Sequence, residues 1–285
     1  MWKSVPAAPA DAILGLTEAF KNDSRPEKVN LGVGVYKDDT GLTPILQCVK
    51  EAERILLEVE DSKNYLPISG DPLYAECVQK LVFGETSDVV MSGRAATAHA
   101  PGGTGALRIG AELLREFRPD ADVWVSTPTW ANHRGIFGAA GFSLKEYPYY
   151  DFGTSSLIYD DMLQGLEQVP TGDIVLLHAC CHNPSGVDLD QSQWQEIAAC
   201  AARRGWIAFI DFAYQGFGSG ITDDRAGVAA FAAAGVDFFV ASSFSKNFGL
   251  YNERTGAITV VCPSREEASV AMSHLKKTVR VCYSN

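Results

Sequence analysis

The chain has 285 residues, of which 46% are hydrophobic and 21% are charged, a balance typical of a globular protein with one large domain or about two smaller ones. Its 35 acidic residues outnumber its 24 basic residues, and the resulting net charge of −11 disfavours nucleic acid as a partner. The first residues contain no apolar core of a signal peptide, and no segment reaches the roughly 18 apolar residues of a membrane span, so we expect a cytoplasmic protein without a membrane partner.

The first 96 residues differ in pattern from the rest of the chain. They contain an extended piece at 29–36 and helical stretches at 44–59 and 72–83. We interpret residues 1–40 as an amino-terminal arm with a segment of a small domain, and residues 41–285 as a large domain. Neither a low-complexity linker nor an internal repeat marks the boundary.

From about Thr97 onward, short apolar runs alternate with longer helical patterns. The predicted strands are 122–126, 142–147, 174–178, 206–211, 237–241 and 257–261, and the predicted helices are 104–117, 133–140, 190–204 and 223–234. This alternation predicts successive βαβ units and an α/β fold with a mainly parallel sheet. Ligands of such sheets bind outside the carboxyl ends of the strands, so polar residues at those ends are the candidates for a site.

The cysteines argue against a disulfide framework and against a zinc knuckle, because the seven of them are scattered without a C-x-x-C pair. Cys180-Cys181-His182 could still suggest a metal site. If residues 173–178 form a strand, however, adjacent side chains point to opposite faces and cannot share one ion. We therefore expect buried thiols and no metal.

A glycine-rich turn, Gly102-Gly103-Thr104-Gly105, follows an extended segment and opens a helix. Free backbone N–H groups and the positive end of the helix dipole would suit an anion there. A dinucleotide-binding turn is excluded because Arg108 stands where G-x-G-x-x-G needs glycine, and no phosphate loop of the nucleotide triphosphatases occurs. Such a turn by itself is a weak signal.

One lysine, Lys246, lies among hydroxyls and is followed by an arginine. A lysine amine becomes nucleophilic only when its pKa falls well below about 10.4, and Arg254 could be the cation that lowers it. The hydroxyls of Ser243 and Ser245 and the planar fork of Arg254 suit the oxygens of a phosphate. The alternative is a surface lysine in a polar loop.

Asp211 ends a strongly apolar strand, where a lone carboxylate would be costly to bury. A protonated heterocyclic nitrogen would be a suitable partner; the alternative is a helix N-cap. Lys246 follows 35 residues later, about one βαβ repeat, so both residues can come from the ends of neighbouring strands.

Three further residues follow predicted strands. Asn183 could donate to a phenolic oxygen or could be a turn residue. Trp130 could stack on a ring or belong to the core, and His133 reads more naturally as a structural histidine than as a base.

Together these motifs resemble those of one enzyme family. They are Asn64-Tyr65-Leu66, Gly102-Gly103-Thr104-Gly105, Trp130, Asn183-Pro184-Ser185-Gly186, Asp211-Phe212-Ala213-Tyr214 and the segment from Ser243 to Arg254. The set resembles the aspartate and aromatic amino acid aminotransferases, which are homodimeric class I enzymes that use pyridoxal phosphate and have fold type I. The similarity extends over the whole chain given.

The resemblance implies a three-layer α/β/α large domain and transamination between an amino acid and 2-oxoglutarate. It implies that the catalytic residues are Lys246, which bonds to the cofactor and moves a proton, Asp211 and Tyr214. Asp211 would pair with the pyridine nitrogen, with His133 behind it. The implied partners of the phenolic oxygen and of the ring are Asn183, Tyr214 and Trp130.

The resemblance also implies the residues that hold the phosphate and the substrate. The phosphate residues are Gly103, Thr104, Ser243, Ser245 and Arg254, joined by Tyr65 from the partner subunit. Trp130 and Asn183 would also contact the substrate, Gly34 would lie at its entrance, and Arg280 would reach into the neighbouring site to bind a side-chain carboxylate.

One departure concerns the end of the chain. In the family, a further segment follows Ser284-Asn285 and carries the arginine that binds the α-carboxylate. We expect this chain, ending at Asn285, to have a complete set of cofactor residues but little or no transaminase activity. One alternative is a different reaction with the same cofactor, that of a lyase, and Trp130 and Arg280 weigh against it. The other is a chain that binds the cofactor without turnover.

Overall fold

The computed structural model describes residues 2–6, 16, 19–29 and 34–285, and the chain divides into two compact units, Met1–Ile45 and Leu46–Asn285. The predicted domain boundary near residue 40 and the roles given to its two sides stay predictions. Most of the predicted extended piece at 29–36 lies outside the described residues, and its described members form neither helix nor strand. In the first unit, Asp38 accepts hydrogen bonds from Thr40 and Leu42 and closes a turn.

A seven-stranded sheet forms the centre of the second unit, in the order β1-β9-β8-β7-β6-β2-β3. Its strands are β1 (Ala95–Pro101), β2 (Asp122–Thr127), β3 (Ser143–Pro148), β6 (Ile174–His178), β7 (Ile207–Phe212), β8 (Phe238–Ser243) and β9 (Thr255–Val261), and a separate small pair comprises β4 (Tyr150–Asp151) and β5 (Ser156–Leu157). All neighbouring strands of the large sheet are parallel except at β9, which runs antiparallel to both β1 and β8. The sheet is therefore mainly parallel, as predicted.

Helices of residues 34–285 cover both faces of this sheet, except for the first of them, which has no buried residue. They are α1 (Gln47–Val59), α2 (Pro72–Phe83), α3 (Asp88–Ser92), α4 (Gly102–Phe117), α5 (Asn132–Ala139), α6 (Tyr159–Leu166), α7 (Gln191–Arg204), α8 (Ala226–Ala234) and α9 (Arg265–Cys282). Their ends follow local chemistry: α7 begins with a capping box between Asp190 and Gln193 and ends at Gly205, which has a left-handed φ of 74°.

Side chains of the buried strands alternate between two apolar cores, one on each face of the sheet. Val175 and Leu177 pack with helices α2, α6, α7 and α8, whereas Ile174 and Leu176 pack with α4, α5 and α9. Because both faces are covered, β6 and β8 are buried along their whole length, and each begins as a continuous apolar run, at 174–177 and 238–241. This arrangement confirms the three-layer α/β/α fold.

The predicted elements of the sheet region lie close to the observed ones. Every predicted strand is found within two residues at each end, and the predicted helix at 223–234 starts as a 3-10 turn, Asp223–Arg225, before α8. No prediction covered α3, α6 and α9, and β1 was recognised only as an extended segment before the glycine-rich turn. Among the residues described, no helix combines the length and apolar character needed to cross a membrane.

Close packing of α4 on the sheet makes Gly110 a sensitive position. A Cβ at Gly110 would lie 2.5 Å from Cζ of Phe209 and 3.0 Å from Cδ1 of Ile258, both of which are buried strand side chains. We expect Gly110→Ala to lower the free energy of unfolding by about 1–3 kcal/mol, the usual cost of overpacking a core, measured by urea denaturation.

The matched control is Gly138→Ala in α5. A Cβ there would meet only Cδ1 of Leu144, at an ordinary 3.9 Å. This variant should gain about 0.5–1 kcal/mol, because alanine favours a helix over glycine. Equal stability of the two variants would contradict the packing argument.

Candidate active site at the carboxyl ends of the strands

The candidate residues meet at one edge of the sheet because their strands run in the same direction. His178 at the end of β6 is paired with Asp211 near the end of β7, and Asp211 is paired with Ala241 of β8. Residues that follow these strands therefore emerge side by side, which is how a parallel sheet assembles a site from distant segments.

Asp211 is a buried carboxylate held by a histidine. Its Oδ2 atom lies 2.9 Å from Nε2 of His133, whose Nδ1 lies 2.8 Å from the hydroxyl of Thr129. Asp211 and His133 are only 7% and 0% exposed. Because a carboxylate accepts hydrogen bonds, Nε2 of His133 donates and the Thr129 hydroxyl donates to Nδ1. Asp211 is therefore fixed as an acceptor that a cation in the site can approach.

Lys246 lies beside Tyr214, with its Nζ atom 4.7 Å from the centre of the tyrosine ring. Burial lowers the pKa of Lys246, Asp211 opposes this effect and Arg254 adds to it. Burial and Asp211 raise the pKa of Tyr214, while a hydrogen bond with the side chain of Asn183 works against them. The lysine thus loses its proton more readily than an exposed lysine, and the tyrosine keeps its proton as a donor.

The start of α4 forms a cradle of glycines against Ser243 and Arg254. A Cβ at Gly102, which has a left-handed φ of 72°, would lie 2.4 Å from Nη2 of Arg254, and a Cβ at Gly103 would lie 2.9 Å from Cβ of Ser243. Only glycine permits this approach of the helix start to a guanidinium and a hydroxyl. No side chain in the described part of the chain caps the helix, so its first N–H groups stay available for an anion.

Two further groups complete the cradle. Nη1 of Arg254 lies 3.4 Å from the hydroxyl of Ser245 and 3.0 Å from the carbonyl oxygen of Tyr251. Ser243 and Ser245 are buried, whereas Thr104, the third residue of α4, is exposed. The donor set of backbone N–H groups, hydroxyls and a guanidinium matches the oxygens of a phosphate.

Of the remaining predicted residues, Trp130 lies beside His133, and the others are exposed. Trp130 is half-buried, and its ring centre lies 5.2 Å from that of His133 at 87°. Tyr65 is 87% exposed, and Arg280 is exposed on α9 with its guanidinium 3.1 Å from the hydroxyl of Ser284. Gly34 is exposed and belongs to the first unit. The roles of Tyr65, Arg280 and Gly34 therefore stay predictions.

Sequence reasoning did not identify the role of His178 or the bonds of His182, which with His133 form a row of histidines behind the site. The rings of His178 and His182 are 4.3 Å apart, and that of His178 is 5.1 Å from that of His133. His182 bonds the hydroxyls of Ser126 and Ser185 at 2.9 and 2.7 Å. His178 ends an apolar strand as Asp211 does, and that position was the available signal.

This region also bears on metal binding. Ligand atoms of His133, His178 and Asp211 lie within 4.8 Å of one another, but the hydrogen bond from His133 already occupies one oxygen of Asp211. The strand β6 ends before Cys180 and Cys181, so strand alternation does not separate these cysteines. Cys180 is buried, as expected, whereas Cys181 is half-buried.

Comparison with known proteins places these residues in context. The family profile for aminotransferase class I and II matches residues 26–285. The aspartate aminotransferase of Haemophilus influenzae is 51% identical over 285 residues, which are 100% of this chain and 72% of that protein. The aromatic-amino-acid aminotransferase of Escherichia coli is 43% identical, with the same coverage. A crystal structure of the Burkholderia pseudomallei aromatic-amino-acid aminotransferase, covalently bound to pyridoxal phosphate, has a TM-score of 0.97 and 49% identity and covers 100% of this chain and 71% of that one.

The buried histidines predict how stability depends on pH. Burial, with His133 adding to it, lowers the pKa of His182 from 6.5 to about 4, so below about pH 6.5 the unfolded chain binds a proton that the folded chain does not. Stability should therefore fall as the pH drops from about 6.5 to about 4, by up to about 3 kcal/mol from this residue, at about 1.36 kcal/mol per pKa unit.

Urea denaturation at several pH values checks this expectation. His182→Gln should flatten the dependence between about pH 6.5 and 5, above the range in which most carboxylates take up protons. The same change at His274, a half-buried residue of α9, serves as the control. A slope that His182→Gln leaves unchanged would show that His182 does not carry the effect.

Proposed function

The chain belongs to the family of class I and II aminotransferases, and from that premise we propose that it transfers the amino group of aspartate or of an aromatic amino acid to 2-oxoglutarate. It is a transferase that depends on pyridoxal phosphate. One observation carries the proposal: a lysine of lowered pKa, a buried carboxylate and a cradle for phosphate lie together at the strand ends. The proposed reaction uses neither the cysteines nor a metal ion.

The residues present fit this cofactor. When bound, pyridoxal phosphate supplies an electron sink for charge that develops at the substrate Cα. The cradle of Gly103, Ser243, Ser245 and Arg254 would hold its phosphate, and Thr104 would add a hydroxyl at the same helix start. Asp211, held by His133, would keep a proton on the pyridine nitrogen, because a buried carboxylate stabilises a facing cation.

Lys246 would carry out two tasks in this proposal. With its lowered pKa, the neutral amine is available at lower pH than that of an exposed lysine, so it can attack the cofactor and later accept the proton from Cα. Tyr214 and Asn183 would donate to the phenolic oxygen, and their mutual hydrogen bond supports a common target. Trp130 would stack on the ring and, with Asn183, contact the substrate.

A homodimer with shared sites is part of the proposal. Tyr65 is 87% exposed and would reach the phosphate of the partner subunit, while Arg280 would bind a side-chain carboxylate there and Gly34 would lie at the entrance. The helix α1 supports this, because Leu57 and Val59 are 85% and 67% exposed, and exposed apolar patches mark interfaces. We propose a cytoplasmic location, as expected from the sequence.

The covalent role of Lys246 can be tested directly. The purified chain should bind pyridoxal phosphate with a new absorbance band, and borohydride should fix the cofactor permanently on the peptide that contains Lys246. The reason is that burial and Arg254 favour the neutral, nucleophilic amine. Peptide mass spectrometry locates the adduct.

Lys246→Ala should abolish the adduct, and Lys145→Ala, which changes an exposed lysine of β3, should leave it unchanged. Recovery of the adduct on another lysine would exclude this assignment and with it the proposed function.

Arg280 should select dicarboxylic substrates. A guanidinium binds a carboxylate through two hydrogen bonds, so Arg280→Ala should lower kcat/KM for aspartate about 10- to 100-fold and leave phenylalanine much less affected. Because the chain covers 72% of the Haemophilus influenzae aspartate aminotransferase, kinetics are measured in a version extended by the homologous carboxyl-terminal segment of that protein.

The control for Arg280 is Lys276→Ala, which removes a positive charge from an exposed position of the same helix. Equal losses for aspartate and phenylalanine would mean that Arg280 has a structural role instead.

A further inference from the structure

A buried carboxylate outside the proposed site, Asp224, holds the loop that follows β7. Its Oδ2 atom accepts hydrogen bonds from the backbone N–H groups of Gly216 at 2.7 Å and Gly218 at 3.1 Å, and its Oδ1 atom accepts one from Ser219 at 2.7 Å. Asp224 is only 6% exposed. Three N–H donors compensate the cost of burying this charge, so the carboxylate and the loop fix each other.

The bonds to Asp224 hold a part of the loop whose own backbone is permissive. Gly216 and Gly220 have left-handed φ values of 98° and 129°, and residues 216–219 are exposed. A chain with several glycines and an exposed backbone has many alternative conformations. The bonds to Asp224 select one of them.

Close contact between Asp224 and the loop is confirmed by the space around Gly218. A Cβ at Gly218 would lie 2.6 Å from Oδ1 of Asp224, so a side chain larger than hydrogen would push the carboxylate away. Gly218 does not have a left-handed φ, and its glycine is therefore required by this contact and not by its backbone conformation.

The held loop begins at Tyr214. The N–H group of Phe217 donates to the carbonyl oxygen of Tyr214 at 3.0 Å, which closes a turn whose third residue, Gly216, is bonded to Asp224. The side chain of the second residue, Gln215, donates to the carbonyl oxygens of Leu81 and Ile221 at 2.7 and 3.0 Å. Strand β7 fixes the chain before Tyr214, and Asp224 fixes it two residues after.

We propose that Asp224 is a positioning residue for Tyr214, which sets the place of the tyrosine ring and hydroxyl beside Lys246 and Asn183. This inference rests on the proposed function, because it assigns a purpose to the position of Tyr214. Asp224 acts through the backbone of the loop and touches neither cofactor nor substrate.

The test is a pH titration of absorbance on the whole chain loaded with pyridoxal phosphate. Asp224→Asn places an amide where three N–H groups need acceptors, so it should shift the midpoint of the spectral transition in the same direction as Tyr214→Phe. It should also weaken cofactor binding on the order of 10-fold. This is the change expected when a displaced Tyr214 loses one charge-assisted hydrogen bond to the phenolic oxygen.

A double-mutant cycle separates positioning from a merely structural role. If Asp224 acts through Tyr214, Asp224→Asn should shift the midpoint no further in the Tyr214→Phe background. Gly218→Ala, which keeps the charge but displaces the carboxylate, should reproduce the shift and decides the question if Asp224→Asn does not fold. Asp223→Asn, an equal charge change at the exposed neighbour, should leave the midpoint unchanged.

Two results would overturn the inference while the proposed function stands: wild-type midpoints in both Asp224→Asn and Gly218→Ala, or shifts that add fully to that of Tyr214→Phe. A wild-type chain that binds no cofactor at Lys246 would overturn the proposed function together with this inference.

Discussion

The site depends on one electrostatic constraint, the burial of the Asp211 carboxylate at the end of a central strand. Such a buried charge is tolerated only when hydrogen-bond donors surround it, and His133 supplies a donor from the protein. His133 in turn must come from α5 and must be held by Thr129, so the connection after β2 is fixed by the same requirement. The negative charge also counteracts the fall in the pKa of Lys246, and the balance between burial and Asp211 sets how easily that lysine loses its proton.

A second constraint is steric and concerns how closely three backbone segments approach. A Cβ at Gly256 would lie 2.6 Å from the carbonyl carbon of Gly102 and 2.7 Å from the carbonyl oxygen of Ser242. Glycine at this position lets β9 lie directly against the start of α4. The positive end of that helix and the hydroxyl of Ser243 are thereby brought within reach of one small anion.

Much of the fold could be predicted from the sequence because its strands are buried on both faces. Runs such as those of β6 and β7 are apolar except for His178 and Asp211 near their ends, and α7 between them has clear caps, so their alternation was readable. The direction of β9 could not be predicted, because an antiparallel strand buried on both faces has the same apolar pattern as a parallel one. The short helices α3 and α6 contain too few turns to show a period.

Site residues could be predicted where burying that residue type costs free energy. They could not be predicted where only the position of the residue matters. Asp211 and Lys246 stand out because charged groups at the end of apolar strands require partners. His182 gave no such signal: it lies in a loop, and it bonds Ser126 of β2 and Ser185 of its own loop. Tyr65, Arg280 and Gly34 were reached through resemblance alone.

The antiparallel direction of β9 has a consequence for how the site assembles. Pro101 and Ser243 end their strands opposite Thr255 and Gly256 at the start of β9, and the N–H group of Phe244 donates to the carbonyl oxygen of Thr255 at 3.0 Å. The segment from Phe244 to Arg254 is therefore a closed loop that brings Lys246 and Arg254 together without a crossover helix. Closing so short a loop costs little chain entropy, and it can form within about 10–100 ns in an unfolded chain, whereas the pairing of Asp211 with His133 spans 78 residues. The lysine and the arginine are thus local neighbours in the folding chain, while the carboxylate of Asp211 comes beside them through the pairing of β7 with β8.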